Sequence, residues 1–262
     1  MTLLQLAVLA IVQGITEFLP ISSSGHLILT SQVLGWPDQG LQIDIAVHAG
    51  TLLAVIVYFW RDIMRILTGL TETGRANTRP LAAMIIVATI PVGVAGFALH
   101  KFGQEGLRDP AVIAWATLGF GILLHVADRF GMTLRRMEHM SWGAAILIGF
   151  SQVLALIPGT SRSGITMTAA RFMGFERDAA ARFSMLLSIP VIAAATLLAG
   201  LDVHESGDLA LTQATLIAAA MSFVSAMIAI WLLMAWLRRA TFAPFVYYRI
   251  ALGLGLLAWI HL

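Results

Sequence analysis

The chain has 262 residues, 59% of them hydrophobic and only 11% charged, with a formal net charge of +2 and no cysteine. Soluble domains carry about a quarter of their residues as charge, so this chain has too little polarity to coat a water-facing surface. Disulfides, thiolate metal sites and a cysteine nucleophile are excluded, and no basic patch interleaved with aromatics makes a case for nucleic acid.

In chain order, the first apolar region covers about 1–36. It lacks the positive flank of a secretory signal and is therefore taken as part of the mature fold. Near its middle stands Pro20-Ile21-Ser22-Ser23-Ser24-Gly25. Continuous apolar spans follow at about 43–60, 81–100 and 111–128. A second interrupted region, about 142–175, carries Pro158-Gly159-Thr160-Ser161-Arg162-Ser163-Gly164, and spans at about 183–201, 211–237 and 247–261 come after it. The spans have the length that a bilayer crossing needs. The two interrupted regions do not fit lipid-facing helices, because irregular backbone at membrane depth survives only where protein or a wet cavity satisfies it. The expected fold is an all-α integral membrane protein, one membrane domain over 1–262, with six transmembrane helices and two re-entrant helical hairpins.

Charge placement orients this topology. Arg61, Arg65, Arg75 and Arg79 put the 61–80 loop on the cytoplasmic side. Counting spans from there places 129–141 and Arg171, Arg177, Arg182, Arg238 and Arg239 inside, and the acidic 202–210 loop (Asp202, Glu205, Asp208) outside. The 101–110 loop, where Lys101 and Arg108 are offset by Glu105 and Asp109, is the weakest member of the set. The first hairpin then dips in from outside and the second from inside, each followed by three spans. That is an inverted-topology repeat, with repeat one about 1–130 and repeat two about 140–262. A shift of 139 aligns Gln13 with Gln152, Ser22 with Ser161, Ser24 with Ser163 and Gly25 with Gly164. The two polar loops are expected to meet near the midplane.

In the first loop, Gln13 and Glu17 share a helix face. A carboxylate at the bilayer centre costs about 2.5–3.5 kcal/mol, so Glu17 needs a partner, and Arg162 is a candidate. Ser22, Ser23 and Ser24 precede Gly25-His26, where a second half-helix begins. They read either as caps or, with the free N–H groups beside them, as an anion site. His26 lies three residues after Ser23 and is a candidate base for it. In the second loop, Pro158 and Gly159 break the helix, Ser161, Ser163 and Thr166 supply hydroxyls, and Arg162 supplies a planar fork of donors suited to phosphate. Asp44 and His48 share a face near the start of a span and read as a packing pair.

The stretches Gln13-Gly-Ile-Thr-Glu17-Phe-Leu-Pro-Ile-Ser-Ser-Ser-Gly-His26 and Pro158-Gly-Thr-Ser-Arg-Ser-Gly-Ile-Thr166 resemble the bacterial undecaprenyl-diphosphate phosphatases associated with bacitracin resistance, as does Arg182-Phe-Ser-Met-Leu-Leu-Ser-Ile-Pro190. The resemblance spans essentially the whole chain. It implies hydrolysis of the terminal phosphate of a polyprenyl diphosphate, recycling the lipid carrier for cell-wall synthesis. It also implies a divalent cation such as Mg2+ or Ca2+, residence in the bacterial cytoplasmic (inner) membrane, and a site open to the periplasmic or outer side. The family's acidic motif takes Glu or Gln first; with Gln13 here, Glu17 carries more of any cation binding.

The expected catalytic residues are Ser23, His26, Glu17 and Arg162, with Ser22, Ser24, Gly25, Ser161, Ser163 and Thr166 binding substrate and Glu17 and Gln13 near the metal. Ser23 attacks with His26 as base, or His26 is itself the nucleophile; sequence leaves both open. The expected partners are the polyprenyl diphosphate and membrane lipids, and a homodimer is compatible with the reading. The rival function is a polyprenyl-phosphate flippase, since inverted repeats with broken helices are transporter architecture. A carrier would need Arg162 but no nucleophile–base pair.

Overall fold

A computed structural model describes residues 2–36, 40–71, 79–102, 107, 109–205 and 213–261. Arg75, Glu105, Arg108 and Asp208, used above to orient the loops, lie outside the described residues. The described residues are helical with no strand; a lone parallel bridge joins Arg135 to Phe175.

The first apolar region is helix–loop–helix: α1 (Leu3–Thr16) and α2 (Ser23–Leu34). The helices α3 (Leu41–Tyr58), α4 (Trp60–Thr71), α5 (Arg79–Phe102) and α6 (Pro110–Phe130) follow. The second interrupted region is again helix–loop–helix, with α7 (Trp142–Gln152), a short 3-10 turn and α8 (Arg162–Phe172). The helices α9 (Arg177–Glu205), α10 (Gln213–Leu237) and α11 (Ala243–His261) complete the chain. Among the described residues six helices are long and apolar enough to cross a membrane: Leu41–Tyr58, Leu81–Lys101, Pro110–Phe130, Arg177–Leu201, Gln213–Leu237 and Ala243–His261. They match the six expected spans. One expected loop is partly helix: the stretch after Phe59 folds as α4. It turns Ile63 and Ile66 toward the core and leaves Arg61 and Arg65 exposed, as an amphipathic sequence at an interface does.

Large apolar side chains such as Ile86, Val94 and Phe97 point outward, while Gln13, Thr51, Gln152, Arg171 and Arg249 are buried inside. This inversion of a soluble protein is what lipid as solvent favours. Close helix approach relies on small residues. A Cβ on Gly50 would sit 2.2 Å from the Ala219 carbonyl of α10, and one on Gly149 would sit 2.5 Å from the Ala88 carbonyl of α5.

The packing interleaves the two halves. α1 lies on α10 and α7 on α5, α3 touches α10 as α9 touches α5, and α6 packs on α11. At one end a charged knot ties the second helix–loop–helix to the spans. Asp128 Oδ1 accepts from Arg171 Nε at 3.1 Å and Arg177 Nε at 2.7 Å, and Oδ2 accepts from the Phe242 N–H at 3.1 Å. Arg171, counted above only as an inside-facing charge, is wholly buried. Arg182 is also committed, bridging to Asp62 of α4.

Candidate active site

Both polar loops end in the same local device. Ser22 (φ +76°) and Ser161 (φ +72°) are the only non-glycine residues at positive φ among the described residues, and they are the pair that the shift of 139 aligns. Each caps the helix that follows: Ser22 Oγ accepts from the Gly25 N–H at 3.4 Å, and Ser161 Oγ from the Gly164 N–H at 3.1 Å. A residue held there costs about 1–3 kcal/mol, which the surrounding bonds must offset. Gly164 is required by space, since a Cβ there would lie 2.8 Å from Arg249 Nη1.

The loops are bolted to each other. The Gly159 N–H donates to Ser22 Oγ at 3.2 Å, and Ser163 Oγ donates to the Leu19 carbonyl at 2.8 Å. Beneath them lies Arg249 of α11, fully buried. Its guanidinium donates to the carbonyls of Pro20 (3.3 Å), Gly159 (2.9 Å), Thr117 (3.1 Å) and Ala116 (3.4 Å), so one cation gathers backbone from both loops and from α6. The sequence reading passed over Arg249. The signal was available: an arginine inside an apolar span is a functional candidate by default.

Between the loops sits the charged centre. Glu17 Oε1 faces Arg162 Nη2 at 3.2 Å, while Oε2 accepts from Ser23 Oγ at 2.7 Å and from Gln13 Nε2 at 3.0 Å. Arg162 also donates from Nη1 to the Ser184 carbonyl at 3.2 Å, and the Ser184 hydroxyl meets that of Thr166 at 2.7 Å. The site thus enlists the Arg182-Phe-Ser-Met stretch through α9. The structure brings Glu17, Ser23 and Arg162 together.

His26 stands apart from that cluster. Its Nδ1 donates to the Ser22 carbonyl at 2.6 Å, its Nε2 is 2.5 Å from the Tyr248 hydroxyl, and the two rings stack with centroids 5.6 Å apart. The Ser23 hydroxyl is directed to Glu17, so the Ser23–His26 hydrogen bond expected from their spacing is not formed. Three residues along a helix turn the side chains to neighbouring positions but do not aim them at each other, and each group has a partner elsewhere: Glu17 for Ser23, and the Ser22 carbonyl and Tyr248 for His26. Among the residues expected to bind phosphate, Ser22, Ser161, Ser163 and Thr166 are buried and engaged in holding the loops, and Gly25 is buried behind its cap; Ser24 is exposed. His48 Nδ1 donates to the Asp44 carbonyl at 2.7 Å, one turn back on α3.

Among the described residues no group of three or more His, Asp or Glu could hold a metal ion alone. The donor set fits a hard divalent ion only in company with a ligand. Glu17 is the single carboxylate, and Gln13 Oε1 is a buried oxygen without a hydrogen-bond partner. A magnesium-like ion takes one or two protein oxygens and fills its shell from phosphates and water, so these two suit it.

The profile of the family described as bacitracin resistance protein BacA matches residues 6–255. The chain is 52% identical to an undecaprenyl-diphosphatase of Hahella chejuensis over 265 residues, covering all of this chain and 99% of that protein. It is 48% identical to an undecaprenyl-diphosphatase of Roseobacter denitrificans, with both chains covered in full. It is 52% identical to that of Ruegeria pomeroyi, covering 98% of each. With two loops bolted around one buried ion pair and this likeness running end to end, the chain belongs to the BacA family of bacitracin resistance proteins.

Proposed function

We propose that this protein hydrolyses the terminal phosphate of a polyprenyl diphosphate in the bacterial cytoplasmic membrane, as the names of its relatives suggest. The observation that carries the reading is the hydroxyl of Ser23 at 2.7 Å from Glu17, beside the guanidinium of Arg162. A nucleophile, an acceptor for its proton and a planar cation for phosphate oxygens lie within one cluster.

In this reading Arg162 and the N–H groups at the starts of α2 and α8 hold the diphosphate. Ser23 Oγ bonds to the terminal phosphorus, its proton passes to Glu17, and the bond from phosphorus to the bridging oxygen breaks, releasing polyprenyl monophosphate. Water then attacks the phosphoserine, one proton going to His26 Nε2. The Ser23–phosphorus bond breaks, Ser23 takes its proton back from Glu17, inorganic phosphate departs, and His26 gives up its proton to water. A divalent cation held by Glu17 and Gln13 would supply charge neutralisation on the phosphate oxygens. Mapping the trapped phospho-enzyme tests the assignment: phosphoserine at 23 supports it, and phosphohistidine at 26 makes His26 the nucleophile.

The matching serine caps and the exchange of packing partners between halves support an inverted repeat whose hairpins are re-entrant, the first from the outer side. Exposed Ser24 and half-exposed Tyr248 support an opening toward that side. Release of phosphate from a C55 or C15 diphosphate in detergent, with and without chelator, tests the function. No release by wild type under any condition, alongside retained binding of the lipid, would favour the flippase.

A further inference from the structure

We infer that Tyr248 is a positioning residue for His26, holding the nitrogen that the Ser22 carbonyl leaves with its lone pair and fixing which way the ring faces. The Ser22 carbonyl can only accept, so the 2.6 Å contact places the proton on Nδ1. Nε2 is then the acceptor, and the Tyr248 hydroxyl, 2.5 Å away, donates to it. The rings lie 14° from parallel, so rotation of the imidazole would break a hydrogen bond at each end and the stack between.

Tyr248 is itself held firmly. The next residue, Arg249, is pinned by four carbonyls from the two loops and α6, so the turn of α11 that carries Tyr248 is registered against the loop that carries His26. α2 packs on α1 and α6, and its Leu29 joins Leu256 of α11 in one apolar cluster with Ile113 of α6. The contact between His26 and Tyr248 adds a polar link between α2 and α11, and the tyrosine is 44% exposed. Without it the imidazole would be held through Nδ1 alone, with neither the bond at Nε2 nor the stack to fix its plane. With it, the lone pair that a water must find is already aimed, and the phenol occupies that position until the water replaces it.

The test uses the full-length protein in detergent and two variants, Tyr248→Phe, which keeps the ring and deletes the hydroxyl, and Tyr248→Leu, which deletes both. Diethylpyrocarbonate modifies the unprotonated nitrogen of histidine, and mass spectrometry reads each site separately. Tyr248→Phe should speed modification of His26 by about 2–10-fold, the range that one net hydrogen bond supplies, with His48 and His125 unchanged as internal references. This arm is independent of the proposed activity. The kinetic arm rests on the diphosphatase reading: kcat should fall by about 10–100-fold, the scale of a misplaced catalytic group, with KM within about twofold, and Tyr248→Leu should lose at least as much. In a His26→Ala background Tyr248→Phe should cost nothing further, since the cycle isolates what passes through the pair. An unchanged rate of His26 modification in both variants overturns the inference, as does an equal loss of kcat with and without His26. A wild type that releases no phosphate sinks the diphosphatase reading and leaves the modification arm decisive for Tyr248.

Discussion

Arg162 and Glu17 are separated by 145 positions in the chain, yet their side chains meet at 3.2 Å, each almost fully enclosed. Neither charge could be sheltered by its own helix–loop–helix. Each is housed by a partner from the other half, so the centre exists only when both loops are in place.

Removing one partner should therefore be costly twice over. Arg162→Ala strands the Glu17 carboxylate and is expected to destabilise the protein by about 3–5 kcal/mol, read by thermal unfolding in detergent. Phosphate release per folded molecule should drop by about 100–1,000-fold, as for loss of a transition-state donor. Arg162→Lys should restore stability better than activity, because a point charge replaces the fork that spans both Glu17 and the Ser184 carbonyl.

The neutral Gln13 donates to Glu17 through Nε2 and leaves Oε1 unused. Gln13→Glu should put two carboxylates side by side, lowering Tm in chelator through like-charge repulsion. Saturating Mg2+ should raise that Tm by about 5–10 °C at roughly 100-fold above Kd. A Tm indifferent to Mg2+ would remove the cation from this corner of the site.

Ser22 carries two N–H donors, one from each loop, on a strained backbone. Ser22→Ala keeps the strain and orphans both donors, so a loss of about 1–3 kcal/mol is expected. Ser22→Gly also loses the hydroxyl but relieves the positive φ. The glycine variant should unfold at the higher temperature of the two.

Helix spacing gives a prediction away from the site. Gly50→Ala must push α3 from α10, since its Cβ would lie 2.2 Å from a carbonyl oxygen, whereas Gly93 and Gly119 face open space. The first should cost about 1–3 kcal/mol; Gly93→Ala and Gly119→Ala should leave Tm unchanged in the same assay.

The sequence reading located the spans because apolar length is set by bilayer thickness, and it located the loops because a cluster of Pro, Ser and Gly interrupts an apolar run, unlike the lone Pro91 and Pro190 that α5 and α9 carry within their helices. It also brought Ser22 into register with Ser161, which the shared backbone strain now explains physically. It was less able to assign partners. That Ser23 turns to Glu17 and His26 to Tyr248 depends on side-chain directions, which spacing along one helix does not fix when a competing partner comes from 222 residues away. Arg249 was missed for a different reason. It stands third in the span expected at about 247–261, where an arginine can reach for the interface, whereas α11 begins at Ala243 and seats it further inside the helix.

The interleaving of the halves constrains how the chain is made. The Ala10 carbonyl receives the Ser225 hydroxyl from 215 residues downstream, so α1 leaves the ribosome long before the surface it rests on has been synthesised. Until then the first loop, with its carboxylate and its serines, lacks the partners that the second half supplies. Because Arg249 of α11 joins the two loops, the candidate site is complete only once α11 has been made.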